Sequence, residues 1–199
     1  MSLSDDQGLQ ASSRSYFRIP ESGPGTPGVN YDETTFGYDV MARQNRTVDA
    51  TGTITRTIYD VRGLTVSTWA GTNDARATDA DPTGGGAAGN NMVQVAGMEY
   101  DGGTAGGDGN LTQQTLYVDA TATRVATYGY DFRNRRTSTT GEEGFYEAST
   151  YDNLSRVVRT DRRNTSDIVL ACAQAMDPTT SEVGGGPGKS TTPFEGIIA

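Results

Sequence analysis

The chain has 199 residues, 34% of them hydrophobic, with 26 Gly, no His and a formal net charge of −9. The acidic balance argues against nucleic acid or an anionic membrane surface as partner, because the field of the protein repels phosphate. Without His there is no Ser-His-Asp triad, Cys-His dyad or imidazole metal site, and no apolar run reaches the roughly 18 residues of a membrane span.

In chain order, residues 1–30 read as a disordered tail, rich in Ser, Gly and Pro and ending in Ser22-Gly23-Pro24-Gly25-Thr26-Pro27-Gly28. No signal peptide is visible at Met1-Ser2-Leu3-Ser4-Asp5-Asp6, which lacks a basic and an apolar region. Residues 31–163 carry a repeat, interrupted at about 70–92 by an insertion rich in Ala, Asp, Gly and Asn. Residues 164–199 read as a low-complexity tail, whose single Cys172 has no internal partner for a disulfide.

The repeat is marked by Tyr-Asp at Tyr31-Asp32, Tyr38-Asp39, Tyr59-Asp60, Tyr100-Asp101, Tyr130-Asp131 and Tyr151-Asp152. Tyr38 and Tyr59 are 21 residues apart, as are Tyr130 and Tyr151. Such a period means that each unit is one supersecondary element that needs its neighbours to bury an apolar face. Four residues after the Tyr stands Ala42, Gly63, Asn134 or Ser155, and five after it Arg43, Leu64, Arg135 or Arg156. Thr47, Thr68, Thr139 and Thr160 follow nine residues after their Tyr, and Gly52 and Gly144 precede the next Tyr by seven.

Asp first and Gly fourth is the preference of a type I turn, and the Asp carboxylate can accept from backbone N–H groups further on. Asn134 tolerates a left-handed backbone nearly as Gly does, whereas Ala42 does not. Thr53-Ile54-Thr55-Arg56-Thr57-Ile58-Tyr59 alternates, with Ile54 and Ile58 on one face, and Leu64-Thr65-Val66-Ser67-Thr68 alternates again. Strand, Asp-x-x-Gly turn and strand make a hairpin with a loop of about four residues. Gly52 and Gly144 are expected to turn the chain at the far end. An isolated hairpin is marginal in water, so the predicted fold is all-β: hairpins side by side in one open sheet, each Tyr packed on the neighbouring turn.

These residues resemble the YD repeat of the RHS and wall-associated family, shared with teneurins. The family's unit is similar to Tyr-Asp-x-x-Gly-Arg, then Thr-Asp, then Gly, then the next Tyr-Asp. Tyr151-Asp152-Asn153-Leu154-Ser155-Arg156 with Thr160-Asp161 fits except at Ser155, Tyr59-Asp60-Val61-Arg62-Gly63-Leu64 except at Leu64, and Tyr130-Asp131-Phe132-Arg133-Asn134-Arg135 with Asn for Gly. The resemblance covers roughly residues 31–163. It implies β-hairpins spiralling into a shell of an exported or cell-surface bacterial protein, a shell that encloses a C-terminal toxin or presents carbohydrate- or protein-binding surface. Family shells use many more repeats than this chain holds. The family's Asp-Pro-x-Gly core-terminating segment is matched only by the Asp-Pro of Asp177-Pro178-Thr179-Thr180.

The sharper chemical readings are weak. Gly184-Gly185-Gly186-Pro187-Gly188-Lys189-Ser190 is similar to a phosphate loop, but Val183 stands where its first Gly belongs. The acidic, Gly-rich stretches at 79–84 and 101–110 lack the spacing of an EF-hand and read as solvated loops rather than calcium sites. Glu142, Glu143 and Glu147 have no pocket around them that would make a glycosidase pair. The expectation is therefore a structural module without enzymatic activity, cofactor or metal, whose partners are further YD repeats or sheet-edge strands. A carbohydrate- or protein-binding adhesion module is the alternative, and a toxin-encapsulating fragment a third.

Overall fold

The computed structural model describes residues 1–104 and 106–164. Twelve strands form one antiparallel sheet in sequence order. They are β1 Ser2–Ser4, β2 Gln10–Tyr16, β3 Tyr31–Tyr38, β4 Gln44–Val48, β5 Ile54–Tyr59, β6 Thr65–Gly71, β7 Val93–Tyr100, β8 Leu111–Tyr117, β9 Thr123–Tyr130, β10 Arg136–Thr140, β11 Phe145–Tyr151 and β12 Val157–Asn164. Single 3-10 turns sit at Asp101–Gly103 and Glu142–Gly144. Each strand pairs only with its neighbours in sequence, so the sheet stays open and its connections alternate between two rims. The turns after β1, β3, β5, β7, β9 and β11 make one rim. The connections after β2, β4, β6, β8 and β10 make the other.

The sheet starts earlier than the sequence pattern indicated. Residues 1–30, expected as a tail, hold β1 and β2, with Ser2 opposite Ser13 and Tyr16 opposite Tyr31. The intervening Asp5-Asp6-Gln7-Gly8 is itself an Asp-x-x-Gly turn: the Gly8 N–H donates to the Asp5 carbonyl, and Asp5 Oδ1 accepts from the N–H groups of Gln7 and Leu9. Even the Gly/Pro stretch is tied down. The N–H groups of Phe17 and Arg18 donate to the Asn30 carbonyl, Asn30 Oδ1 accepts from Thr26, and Asn30 Nδ2 donates to the Arg18 carbonyl. The residues from 165 onward, including Cys172, Asp177-Pro178 and Gly184–Ser190, lie outside the described residues.

The core is thin, as a single layer of sheet dictates. Among the described residues its buried apolar side chains are Tyr31, Ile54, Met92 and Ala96. The side of β5 that carries Ile54 and Ile58 also carries Arg56, which is buried. Residues 72–92 bring two carboxylates to the arginines of this region. Arg46 donates to both oxygens of Asp74 (2.6 and 3.0 Å), Arg56 Nη1 donates to Asp74 Oδ2 at 2.9 Å, and Asn45 Nδ2 donates to Asp79 Oδ1 at 2.6 Å. The Arg46 guanidinium, more than burial opposes, holds the Asp74 carboxyl down at about 2. Asn91 Oδ1 closes the neck of the loop by accepting from Thr72 and Asn73, and Asn90 Nδ2 spans it to the carbonyls of Ala75 and Pro82. The insertion is thus an ordered cover over β4 and β5, held by ion pairs and amide side chains together with the buried Met92.

Candidate functional site

The feature that the sequence singles out is the rim where the Tyr-Asp turns lie. Tyr38, Tyr59, Tyr100, Tyr130 and Tyr151 are the last residues of β3, β5, β7, β9 and β11. Asp39, Asp60, Asp101, Asp131 and Asp152 follow them and open the turns. Tyr31-Asp32 is the exception: it begins β3 on the opposite rim, where the buried Tyr31 ring packs 4.9 Å from that of Tyr16 and 4.6 Å from the Arg14 guanidinium. Tyr16 is therefore no isolated side chain of a tail.

Four of these five turns are built the same way. In the 39–43 turn the Asp39 N–H donates to the Arg43 carbonyl and the Ala42 N–H to the Asp39 carbonyl. Asp39 Oδ1 accepts from the N–H groups of Met41 and Arg43. The same four bonds recur at Asp60, Asp131 and Asp152. The fourth residue takes a left-handed backbone, with φ 59° at Ala42, 88° at Gly63, 59° at Asn134 and 62° at Ser155. This is a type I turn closed by a left-handed residue. Only Gly63 adopts that backbone without steric cost. Opposite each Tyr the returning strand carries one extra residue: Asn45, Val66, Thr112, Thr137 and Val158 are skipped in the pairing. Such bulges bend and twist the strand locally.

What distinguishes this rim is the bonding from one turn to the next. The Tyr59 hydroxyl donates to the Gln44 carbonyl of the preceding hairpin at 2.9 Å, and the Tyr151 hydroxyl to the Arg136 carbonyl at 2.8 Å. The Tyr38 hydroxyl reaches the Gln10 carbonyl at 2.9 Å. Arg43 Nε donates to Asp39 Oδ2 of its own turn, its guanidinium lies 4.8 Å from the Tyr59 ring centre, and its Nη1 donates to the Asp60 carbonyl at 2.8 Å. Arg135 repeats this with Asp131, the Tyr151 ring at 4.7 Å and the Asp152 carbonyl at 3.0 Å. One guanidinium thus joins two turns through an ion pair, a cation–π contact and a hydrogen bond.

Leu64 breaks the Arg pattern, and Arg62 takes over. Its Nε donates to Asp60 Oδ2, and its Nη1 to Asp101 Oδ2 at 2.8 Å and to the Gly107 carbonyl at 3.1 Å. The turn after β7 is lengthened, yet Asp101 still accepts from the N–H groups of Gly109 and Asn110, and Asn110 Nδ2 bridges to Asn134 Oδ1 of the next turn. These partners set the carboxyl acidities. Asp131 is lowered first by Arg135 and Asp101 first by Arg62, and Asp152 first by the Arg156 N–H. At Asp39 and Asp60 burial pushes the carboxyl up, but the Arg and N–H donors together outweigh it. Burial raises the phenols of Tyr100 and Tyr130.

The other predicted positions lie elsewhere. Gly52 (φ 86°) and Gly144 (φ 73°) turn the chain on the opposite rim. Thr47, Thr68, Thr139 and Thr160 sit inside β4, β6, β10 and β12, where they pair across strands and do not join the Tyr-Asp turns. Asn45 is buried with its amide on Asp79. Glu142 pairs with Arg124, and Glu147 with Arg162. Among the described residues no group of three or more His, Cys, Asp and Glu is arranged to hold a metal ion, and no helix is long and apolar enough to cross a membrane. The recurring Arg was visible in the sequence. Its reach across to the following turn was not, because spacing within one unit carries no sign of a contact to the next.

Solved structures contain a similar fold. TcdB2-TccC3 without its hypervariable C-terminal region matches with a TM-score of 0.55 and 15% sequence identity over 80% of this chain. The likeness is one of fold. Intact TcdB2-TccC3 matches at 0.54 and 15% over 81% of the chain, and the Photorhabdus luminescens Tc holotoxin pore at 0.51 and 16% over 78%. This chain spans only 7 to 8% of the length of those proteins. No protein-family model and no curated protein matches the sequence.

Proposed function

We propose that the chain is a non-enzymatic wall segment of the RHS/YD-repeat type, part of an exported or cell-surface bacterial protein whose longer sheet encloses or presents something else. The observation that carries this reading is the continuous bonding along the Tyr-Asp rim. Tyr hydroxyls and Arg guanidiniums that an adhesin would offer to a ligand are used here on the neighbouring hairpin. Repeat walls derive their stability from such nearest-neighbour contacts. The sheet's likeness to toxin-complex components, one of them solved without a hypervariable C-terminal region, supports the enclosing role within that reading.

The exposed aromatic residues do not form a row that would favour carbohydrate binding. Among the described residues Tyr16 and Phe17, Tyr117 and Phe145 lie at the ends of β2, β8 and β11, strands that are not neighbours in the sheet, and Phe132 lies at a turn of the other rim. Hydrogen exchange tests the wall reading. Tyr59→Ala and Tyr151→Ala are expected to release protection in the mutated hairpin and in the one before it, whereas Phe132→Ser, at an exposed turn tip, leaves both unchanged. Equal effects from all three, or a glycan-array signal abolished by Phe17→Ser, would transfer the assignment to the adhesion module.

A further inference from the structure

The Tyr-Asp rim shows in two places what fits between neighbouring turns. Arg43 Nε meets Asp39 Oδ2 at 2.6 Å, its guanidinium lies 4.8 Å from the Tyr59 ring centre, and Nη1 meets the Asp60 carbonyl at 2.8 Å. Arg135 repeats the three contacts with Asp131, Tyr151 and Asp152 at 2.7, 4.7 and 3.0 Å. The carboxylate of one turn, with the ring and carbonyl of the next, is thus a seat for a planar cation. Arg62 bridges the step between Asp60 and Asp101, and the amides of Asn110 and Asn134 bridge the step after it.

The step from the 5–9 turn to the 39–43 turn has the same seat and no side chain to fill it. The Asp5 N–H donates to the Leu9 carbonyl and the Gly8 N–H to the Asp5 carbonyl, while Asp5 Oδ1 accepts from Gln7 and Leu9. The Tyr38 hydroxyl bonds the Gln10 carbonyl, five residues after the turn Asp, just as Tyr59 bonds Gln44 and Tyr151 bonds Arg136. Carboxylate, ring and carbonyl are therefore brought together as at the other two steps. Leu9, however, stands where Arg43 and Arg135 stand in their turns. Among the described residues no guanidinium reaches Asp5 Oδ2 or the Tyr38 ring. The two turns flank an open groove of about 710 Å³, lined among others by Asp5, Asp6, Leu9, Phe36, Tyr38 and Asp39.

We propose that this groove binds an arginine side chain presented by a peptide from outside the sheet. The guanidinium donates to Asp5 Oδ2, lies flat on the Tyr38 ring, and donates to the Asp39 carbonyl, which accepts the Ala42 N–H and keeps a second lone pair. The methylene stem runs along Leu9 and Phe36, apolar surface that a free guanidinium ion would leave uncovered. Lysine is disfavoured because an ammonium has no planar face for the ring and no fork for the carboxylate. Asp6 and the net charge of −9 add attraction for a basic segment. The inference goes beyond the wall reading, since the occupant is neither a hairpin nor a continuation of the sheet.

The probes are the capped tripeptide Gly-Arg-Gly, the capped tripeptide Gly-Lys-Gly and methylguanidinium. Each is titrated into the full chain and followed by the NMR shifts of the Leu9 methyls, the Tyr38 ring and the Asp39 amide. Saturable shifts at all three residues are expected with the arginine peptide at millimolar concentration, and binding about fivefold weaker with the lysine peptide. Asp5→Asn, which keeps the size of the turn residue, should weaken the arginine peptide about fivefold. Leu9→Arg fills the seat from within and should abolish binding. Glu21→Gln, which removes one charge from the opposite rim, should change affinity by less than about twofold. Hydrogen exchange of β2 and β3 checks that each variant is folded. Absence of saturable shifts overturns the proposal. So does equal binding of the lysine peptide, or binding that survives both Asp5→Asn and Leu9→Arg. Methylguanidinium binding as tightly as the arginine peptide overturns the choice of occupant. The wall reading stands or falls separately, by the exchange response to Tyr59→Ala and Tyr151→Ala.

Discussion

The two rims of the sheet turn the chain by the same local chemistry but are held together differently. Asp49 on one rim and Asp39 on the other each use Oδ1 to accept two backbone N–H groups, and each turn closes on a left-handed fourth residue, Gly52 or Ala42. At Asp39 the second oxygen also holds Arg43, which reaches the next turn. At Asp49 the remaining side-chain bond goes to Thr51 of the same turn. The Tyr-Asp rim is therefore coupled hairpin to hairpin, whereas the 49–53 turn closes on itself. The opposite rim gains its cross-hairpin anchorage from longer connections instead, chiefly the 72–92 loop. A turn motif alone makes a hairpin. The side chain that leaves the turn makes a sheet.

The largest effect is expected where the opposite rim concentrates its anchorage. Asp74→Asn leaves Arg46 and the buried Arg56 facing each other without their shared carboxylate, and should cost about 2 kcal/mol, less than a fully buried pair because Arg46 is partly wet. Denaturant unfolding at pH 7 measures it. The pH dependence has a definite sign. The Asp74 carboxyl lies lower in the fold, at about 2, than its ordinary 3.8. Its contribution is thus fully present above the unfolded value and is lost as pH falls from about 5 towards 2. The turn carboxyls Asp39, Asp60, Asp131 and Asp152 are lowered too and act in the same direction. Asp74→Asn should therefore flatten only part of the acid slope, and an unchanged slope would remove the cluster from the account.

A matched pair isolates the coupling itself. Asp39→Asn and Asp49→Asn remove the same charge from the same kind of turn, but only the first also weakens the hold on Arg43. The first should be the more destabilising, because it also weakens an ion pair and the cation–π contact that the pair positions. Equal losses would mean that the guanidinium follows the sheet rather than holding it. Backbone strain gives a smaller effect of opposite sign. Ala42 sits at φ 59° in a position that Gly63 occupies freely. Ala42→Gly should raise the unfolding midpoint by the equivalent of about 0.5 kcal/mol, the left-handed cost exceeding the extra entropy of Gly.

Much of this was legible because a repeat announces itself several times. Tyr-Asp, the fourth-position Gly or Asn and the alternation of Thr53 to Tyr59 give the hairpins, their loop length and the side shared by Ile54 and Ile58. The first hairpin was missed because Ser4 replaces its Tyr, although Asp5-Asp6-Gln7-Gly8 carries the full turn signal. Tyr31-Asp32 reads as a unit in sequence, yet lies on the wrong rim: a two-residue match does not record direction along the sheet. The order within residues 72–92 was hidden because it rests on Asp74 meeting Arg46 and Arg56, charges 28 and 18 residues away that no local pattern links. Arg62 standing in for an Arg at position 64 was hidden for the same reason. Compensation of this kind is a property of space, not of spacing.

A second gain, no larger than that at Ala42, asks whether the coupling can be installed where it is missing. Between the 5–9 turn and the 39–43 turn lies an open groove of about 710 Å³, lined among others by Asp5, Asp6, Leu9, Tyr38 and Asp39. The Tyr38 hydroxyl already makes its bond to the Gln10 carbonyl. Leu9 occupies the position of Arg43 and Arg135, four residues after the turn Asp, and Gln7 that of Arg62, two residues after it. Neither can place a guanidinium against the Tyr38 ring. Leu9→Arg should let Nε meet Asp5 Oδ2, stack the guanidinium on Tyr38 and bring Nη1 to the Asp39 carbonyl. The expected gain is about 0.5 kcal/mol, small because the site is open to water. It is read most directly as slower hydrogen exchange in β1 and β2, with Leu9→Lys as the control that restores charge without the planar face. If Lys does as well as Arg, attraction to Asp5, Asp6 and Asp39 is sufficient and the stacking geometry at Arg43 and Arg135 adds nothing. If neither slows exchange, the guanidinium is a consequence of adjacent turns rather than a cause of their adjacency, and the Tyr hydroxyl bonds alone carry the coupling along the rim.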